Sequence, residues 1–336
     1  MNIPLLKQLG HMNQLAGIRE YQVLRGKGGQ THMAEFHNAA GLRFTVVPDR
    51  CMDLYDFSYK GINFSFQTKN GLAAPQYFST VNGDFAEEWT AGMLCTCGLA
   101  NVGGPCETDG IYPTHGRIGH ASAQSFGTDC HWEGEDYILR VQGEMNQSKL
   151  CGRHLTVRRT IETGLNRKSL ILRDVITNHE PQDEPYMLLY HINFGYPIVQ
   201  SDSKVEVSPC ETEQFNGTNP DFRSLSAPVD GADEDLFLHR FSGEQAGAVI
   251  WNERLQLGSY VRYDTRHLPN MVHWKLMRSH DYVVGLEPAN TCGLNRADAI
   301  AQNKIAVLPA YSSVETGFEL GVLDGMDEIQ QFLHHL

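Results

Sequence analysis

The chain is predicted to be all-β, built from large antiparallel sheets in a sandwich or barrel, on three observations. Thirty-two glycines and fourteen prolines are spread evenly and cut the sequence into many short runs. Val, Ile, Tyr, Phe and Thr dominate those runs, the residues that suit a pleated, half-buried surface. Helical periodicity is confined to the ends and a few connections.

Alternating or continuous apolar character predicts strands over 42–47, 137–141, 155–161, 170–177, 186–194, 248–251, 256–263, 271–276, 282–286 and 304–308. Residues 3–15 read as a short helix with Pro4 in its first turn. Residues 324–336 read as a second, with Met326, Ile329, Phe332 and Leu333 at helical spacing and acids near its start. The stretch 216–235, rich in Asn, Pro, Asp, Gly and Ser, reads as a long surface loop. Because β-type composition continues on both sides of it, residues 1–336 are read as a single domain.

A hydrophobic content of 41% can supply a large core. The formal charge of -13 argues against a nucleic-acid or anionic-membrane partner, whose phosphates such a field repels. No apolar stretch approaches the ~20 residues of a membrane span, and the first residues lack a secretory pattern. A cytoplasmic protein is therefore expected. Eight cysteines in a chain of this length are read as reduced thiols. Cys95 and Cys97 form the one close pair and lack a second pair at metal-binding spacing. Neither metal nor cofactor is expected.

The candidate chemistry lies in short strand-like segments. Within 186–194, alternation puts Tyr186, Leu188, Tyr190, Ile192 and Phe194 on one face and Met187, Leu189, His191 and Asn193 on the other. His191 and Asn193 thus end an otherwise apolar face, as proton-transfer groups or as polar residues satisfied by backbone. Glu287 shares a face with Val283 and Gly285, leaving space beside its carboxylate, and Pro288 is expected to end the ladder. A solvent-facing strand-end glutamate reads equally well there.

In Thr-His-Gly-Arg (114–117), His115 and Arg117 would point the same way if extended. The glycine-rich 98–106 upstream lacks the Gly-Lys-Ser/Thr ending of a phosphate loop and reads as a surface turn. Trp274 could stack on a sugar ring or fill the core, with His273 and Lys275 on its opposite face. Arg50, in the turn-like 48–53, could reach a ligand or pair with an acid.

Together these segments resemble the aldose 1-epimerase (galactose mutarotase-like) superfamily, and more closely a less-characterised bacterial branch of it. The resemblance rests on Pro-Asp-Arg-Cys-Met-Asp (48–53), His-Gly-Arg (115–117), Tyr-His-Ile-Asn-Phe-Gly-Tyr-Pro (190–197), Trp-Lys (274–275) and Gly-Leu-Glu-Pro (285–288). It implies a β-supersandwich with a sugar cleft, and an activity that interconverts the anomers of a free sugar by ring opening and closure. Glu287 then takes the C1 hydroxyl proton, His191 protonates the ring oxygen, and His115 holds a neighbouring oxygen. Arg50, Arg117, Asn193, Trp274 and Lys275 join as substrate-binding residues. Three cations among them suggest an anionic sugar.

Two other functions keep the same residues. One is a ketose–aldose isomerase or epimerase that moves a carbon-bound proton; the other is a carbohydrate-binding protein without catalysis. The expected partner in each case is a small-molecule sugar, with a homodimer left open.

Overall fold

The computed structural model describes residues 3–79 and 84–336. Every pairing between its named strands is antiparallel. The widest sheet has eight strands, in the order Ser203–Val207, Gln245–Asn252, Leu257–Asp264, Ser313–Asp324, Ser169–Asn178, His154–Gly164, Asp136–Ser148 and Gln124–Glu133. A seven-stranded sheet runs Glu211–Asn216, Asp235–Arg240, Asn270–Arg278, Asp281–Ala289, Glu184–Phe194 and Ala306–Leu308, with Leu94–Leu99 also paired to Glu184–Phe194. Five strands between Gly17 and Asn63 make a third sheet.

The strand Glu184–Phe194 shows why the sheets stack. From Tyr186 onward every residue is buried, so both faces are covered. Tyr186, Leu188, Tyr190, Ile192 and Phe194 enter the main core, while Met187 and Leu189 enter a smaller apolar cluster with Cys97, Leu238 and Val272. The predicted alternation is what the fold uses. On the main-core side the Tyr190 hydroxyl donates to Asp174 at 2.7 Å. Arg159, wholly buried, grips Asp174 through two hydrogen bonds and reaches Asp53 at 2.9 Å. Such a network is tolerated in a core only because each charge meets an opposite one and its donors are satisfied. It anchors the strand from behind.

The C-terminal helix is Met326–His334, with Ile329 and Phe332 buried against Val249, Trp251 and Leu323. The predicted N-terminal helix is broken: Ile3–Leu6 is helical, then Met12–Gln14 forms one tight turn that His11 caps through its ring nitrogen. Gly10 lies between them, and a glycine there weakens helix continuity. Pro288 does not end its strand, which runs through Ala289.

Candidate functional site

Hydrogen-bond register assembles the site. On the strand Asp281–Ala289, Gly285 pairs with Asn193 and Ala289 with Leu189, so the register sets Glu287 across from His191. On its other side Glu287 pairs with Val272, and His191 pairs with Cys95. Four adjacent strands thereby put Val272, Glu287, His191 and Cys95 in one row. Residues in such a row lie on the same face and within side-chain reach. The Glu287 Oε1 and His191 Nδ1 atoms are 3.2 Å apart. This is a close contact without hydrogen-bond alignment, since neither atom has a hydrogen-bond partner.

Both groups are almost sealed, Glu287 at 2% and His191 at 6% exposure. Burial pushes the Glu287 carboxyl well above the ordinary carboxylate range, and the negative charge of Glu234 adds to the shift. Burial likewise holds the His191 imidazole well below the ordinary histidine value, with His115 acting in the same direction. Low-dielectric surroundings disfavour net charge on the pair. The shifts therefore favour a neutral pair, with the proton on the carboxyl and the imidazole uncharged.

Gly285 makes room for the carboxyl. A Cβ at that position would meet Glu287 Oε1 at 2.2 Å, so the acid lies directly over the bare backbone. This is the space the sequence predicted.

The pair opens on a cleft of about 340 Å3, lined by Phe85, Trp89, Trp274 and Phe215 among the aromatic residues and by His115, Glu234, Thr114 and Gly103. Phe85 and Trp89 lie four residues apart across one helical turn, closed by the Trp89 N–H bond to the Phe85 carbonyl at 2.8 Å. Their rings stack at 5.6 Å and the Trp89 ring is 5.1 Å from that of His191. Trp274 meets His191 edge-on at 5.4 Å.

His115 lies directly beside His191, its ring meeting that of His191 edge-on at 5.5 Å. The Gly103 N–H donates to His115 Nδ1 at 3.4 Å, which assigns the ring proton of the neutral form to Nε2. Burial lowers the His115 pKa to about 4. The imidazole is therefore neutral near pH 7 and able to donate through Nε2 to a ligand oxygen.

Of the eight site residues expected from sequence, the structure brings together Glu287, His191, His115 and Trp274 in this cleft. It places the other four outside its lining. Arg117 does not follow His115, because His115 and Gly116 have φ of 56° and 74°. A left-handed pair of residues breaks the alternation on which the expectation rested. Arg117 is instead exposed, 5.7 Å from the Phe78 ring. Arg50 is buried and donates to the Ala73 carbonyl at 2.7 Å and towards His120 Nε2 at 3.2 Å. Lys275 lies on the far face of its strand from Trp274 and donates to the carbonyls of Asp221 and Ser224. Asn193 is wholly buried, donating to the Gly92 and His191 carbonyls, so it braces the histidine strand. The cationic set does not converge, and the charge argument for an anionic sugar loses its basis.

Several cleft residues were not anticipated. Phe85, Trp89 and Glu234 gave no sequence signal, because short helices and polar loops carry no periodicity to read, and Phe215 lies on the short polar strand Glu211–Asn216, which was not predicted. Glu234 ends the loop between Asn216 and Asp235, which the structure retains as a loop. The glycine-rich 98–106, read as a surface turn, contributes Val102, Gly103 and Gly104 to the cleft wall.

Solved structures share this architecture. A provisionally named aldose 1-epimerase from Klebsiella pneumoniae aligns with a TM-score of 0.86 at 22% identity, over 94% of this chain and 85% of that one. A galactose mutarotase-like protein from Clostridium acetobutylicum gives 0.62 at 14%, over 93% and 100%. Galactose 1-epimerase from Lactobacillus acidophilus gives 0.58 at 11%, over 92% and 99%. At these identities the likeness establishes the galactose mutarotase-like fold. No curated protein matches the sequence. A family model described as "Domain of unknown function (DUF4432)" covers residues 28–322, and the chain belongs to that family.

Proposed function

We propose that the protein is an aldose 1-epimerase, interconverting the anomers of a free monosaccharide through Glu287 and His191. The observation that carries this reading is the contact between a buried carboxyl and a buried imidazole at the floor of an aromatic-walled cleft. Ring opening removes a proton from O1 and delivers one to O5, two oxygens on the same carbon. An adjacent acid and base suit that geometry better than groups on opposite sides of the sugar.

The pKa shifts favour the exchange. A neutral carboxyl and a neutral imidazole supply one acid for O5 and one base for O1 without either standing charged in the resting site. Because one proton enters the pair as another leaves, its total charge is unchanged through the turnover. That matters in a site where burial penalises net charge. Closing the ring on the other face after rotation at C1 requires the two groups to exchange roles. His115 supplies a donor to a neighbouring hydroxyl, and Trp274 offers an apolar face for the sugar ring.

Anomer-exchange NMR on a panel of free sugars tests the reading. The wild type is expected to accelerate exchange for at least one sugar. Glu287→Gln and His191→Asn are each expected to lose about 10²–10⁴-fold, the usual worth of general acid–base catalysis. In deuterium oxide no carbon-bound hydrogen should exchange. Absence of acceleration across the panel, or full activity in both variants, would overturn the proposal, and deuterium on carbon would point to enolisation instead.

A further inference from the structure

The cleft has a chemical bias that anomer exchange alone does not require. Among the described residues lining it there is no lysine and no arginine. The wall does carry a second carboxyl group, that of Glu234. Its Oε2 accepts from Trp274 Nε1 at 2.9 Å and its Oε1 from Asn216 Nδ2 at 3.2 Å. Both donors are neutral, and among the described residues no basic group forms an ion pair with Glu234. A carboxylate offers about four acceptor positions, so roughly half remain for a ligand.

The neighbouring walls are aromatic. The rings of Trp89 and Trp274 lie 5.8 Å apart, and the indole that donates to Glu234 also meets His191 edge-on. A partly enclosed carboxylate without a counter-ion attracts a cation by charge. An ammonium group supplies that charge and brings three N–H donors. It would stand across the Trp274 indole from His191, in the same cleft as the Glu287–His191 pair.

We propose that the cleft selects an aldose bearing an ammonium group, with Glu234 as its counter-ion and Trp274 beside it. This rests on the carbohydrate reading above and narrows its substrate class. A neutral sugar could give Glu234 a hydroxyl but would leave its charge uncompensated. A uronic acid would bring a second anion towards it.

Anomer-exchange NMR on the full-length protein should compare D-glucosamine and D-galactosamine with their N-acetyl forms, D-glucose, D-galactose and D-glucuronate. The ammonium sugars are expected to exceed their neutral counterparts in kcat/KM by about tenfold or more, the worth of a partly shielded ion pair. Glucuronate should be the poorest. Glu234→Gln should collapse the ratio of ammonium to neutral sugars towards one, whatever happens to absolute rates. Neutral sugars that match or exceed the ammonium sugars, or a ratio that survives Glu234→Gln, would overturn the inference. If no sugar is turned over, the epimerase reading fails separately, and saturation-transfer NMR decides this one. Tighter binding of the ammonium sugars would then uphold it, and equal or weaker binding would sink it.

Discussion

At the scale of single residues, the site depends on one missing side chain as much as on those present. Gly285 leaves the volume that the Glu287 carboxyl occupies, so Gly285→Ala would drive a methyl into Oε1. The expected result is a folded protein with anomer exchange reduced by at least about tenfold, because misplacing an acid–base group is costly to rate. Circular dichroism and exchange NMR on the same sample check both halves. His191 and Glu287 stood out in the sequence because alternation put His191 at the end of an apolar face and Glu287 over a glycine, and because both fall in the segments that carry the resemblance. Arg117 was misread for a local cause: His115 and Gly116 both have positive φ, and no alternation rule survives such a kink. Glu234 was unreadable because an acid in a polar loop is the commonest of surface features.

At the scale of elements, long β-branched strands announced themselves and irregular ones did not. The strand predicted over 42–47 is Leu42–Val47, and that over 170–177 is Ser169–Asn178. Ser313–Asp324 went unseen because Gly317 and Gly321 interrupt its pattern, and Gln124–Glu133 because it is a polar edge. The loop of residues 217–234 holds Glu234 in the cleft, and Lys275 ties that loop to the sheet through the Asp221 and Ser224 carbonyls. Lys275→Met removes both bonds and leaves the carbonyls without these donors. Limited proteolysis within 217–234 is expected to quicken several-fold, and the preference for ammonium over neutral sugars to weaken as Glu234 loses its support. Unchanged proteolysis would show that the lysine does not tether the loop.

Across the whole molecule, buried imidazoles set the acid limit. Burial lowers His115 and His239 to about 4, and His120 to about 3 with Arg50 reinforcing the effect. Below an unfolded value near 6.5 the unfolded chain binds protons that the folded chain refuses. Their contribution to stability is thus complete above about pH 6.5 and declines as pH falls towards 4 and then 3, by about 1.4 kcal/mol per pH unit for each imidazole. Denaturant midpoints measured from pH 7 to 4 should fall, and His120→Gln, which keeps an acceptor for Arg50, should flatten the decline. Glu287 works in the opposite direction: its raised value removes stability as pH climbs from the carboxylate range through that value. The described helices include none long and apolar enough to cross a membrane.

The Glu287–His191 pair belongs to a ladder row, whereas Phe85, Gly103 and Glu234 reach the cleft wall from connecting segments. The proposed chemistry and this part of the wall are therefore written in separable parts of the chain. Grafting new connections should retune which molecule is accepted and spare the reaction. A one-residue insertion inside Asp281–Ala289 would turn the acid to the wrong side of its strand, abolishing turnover however well the walls were redesigned.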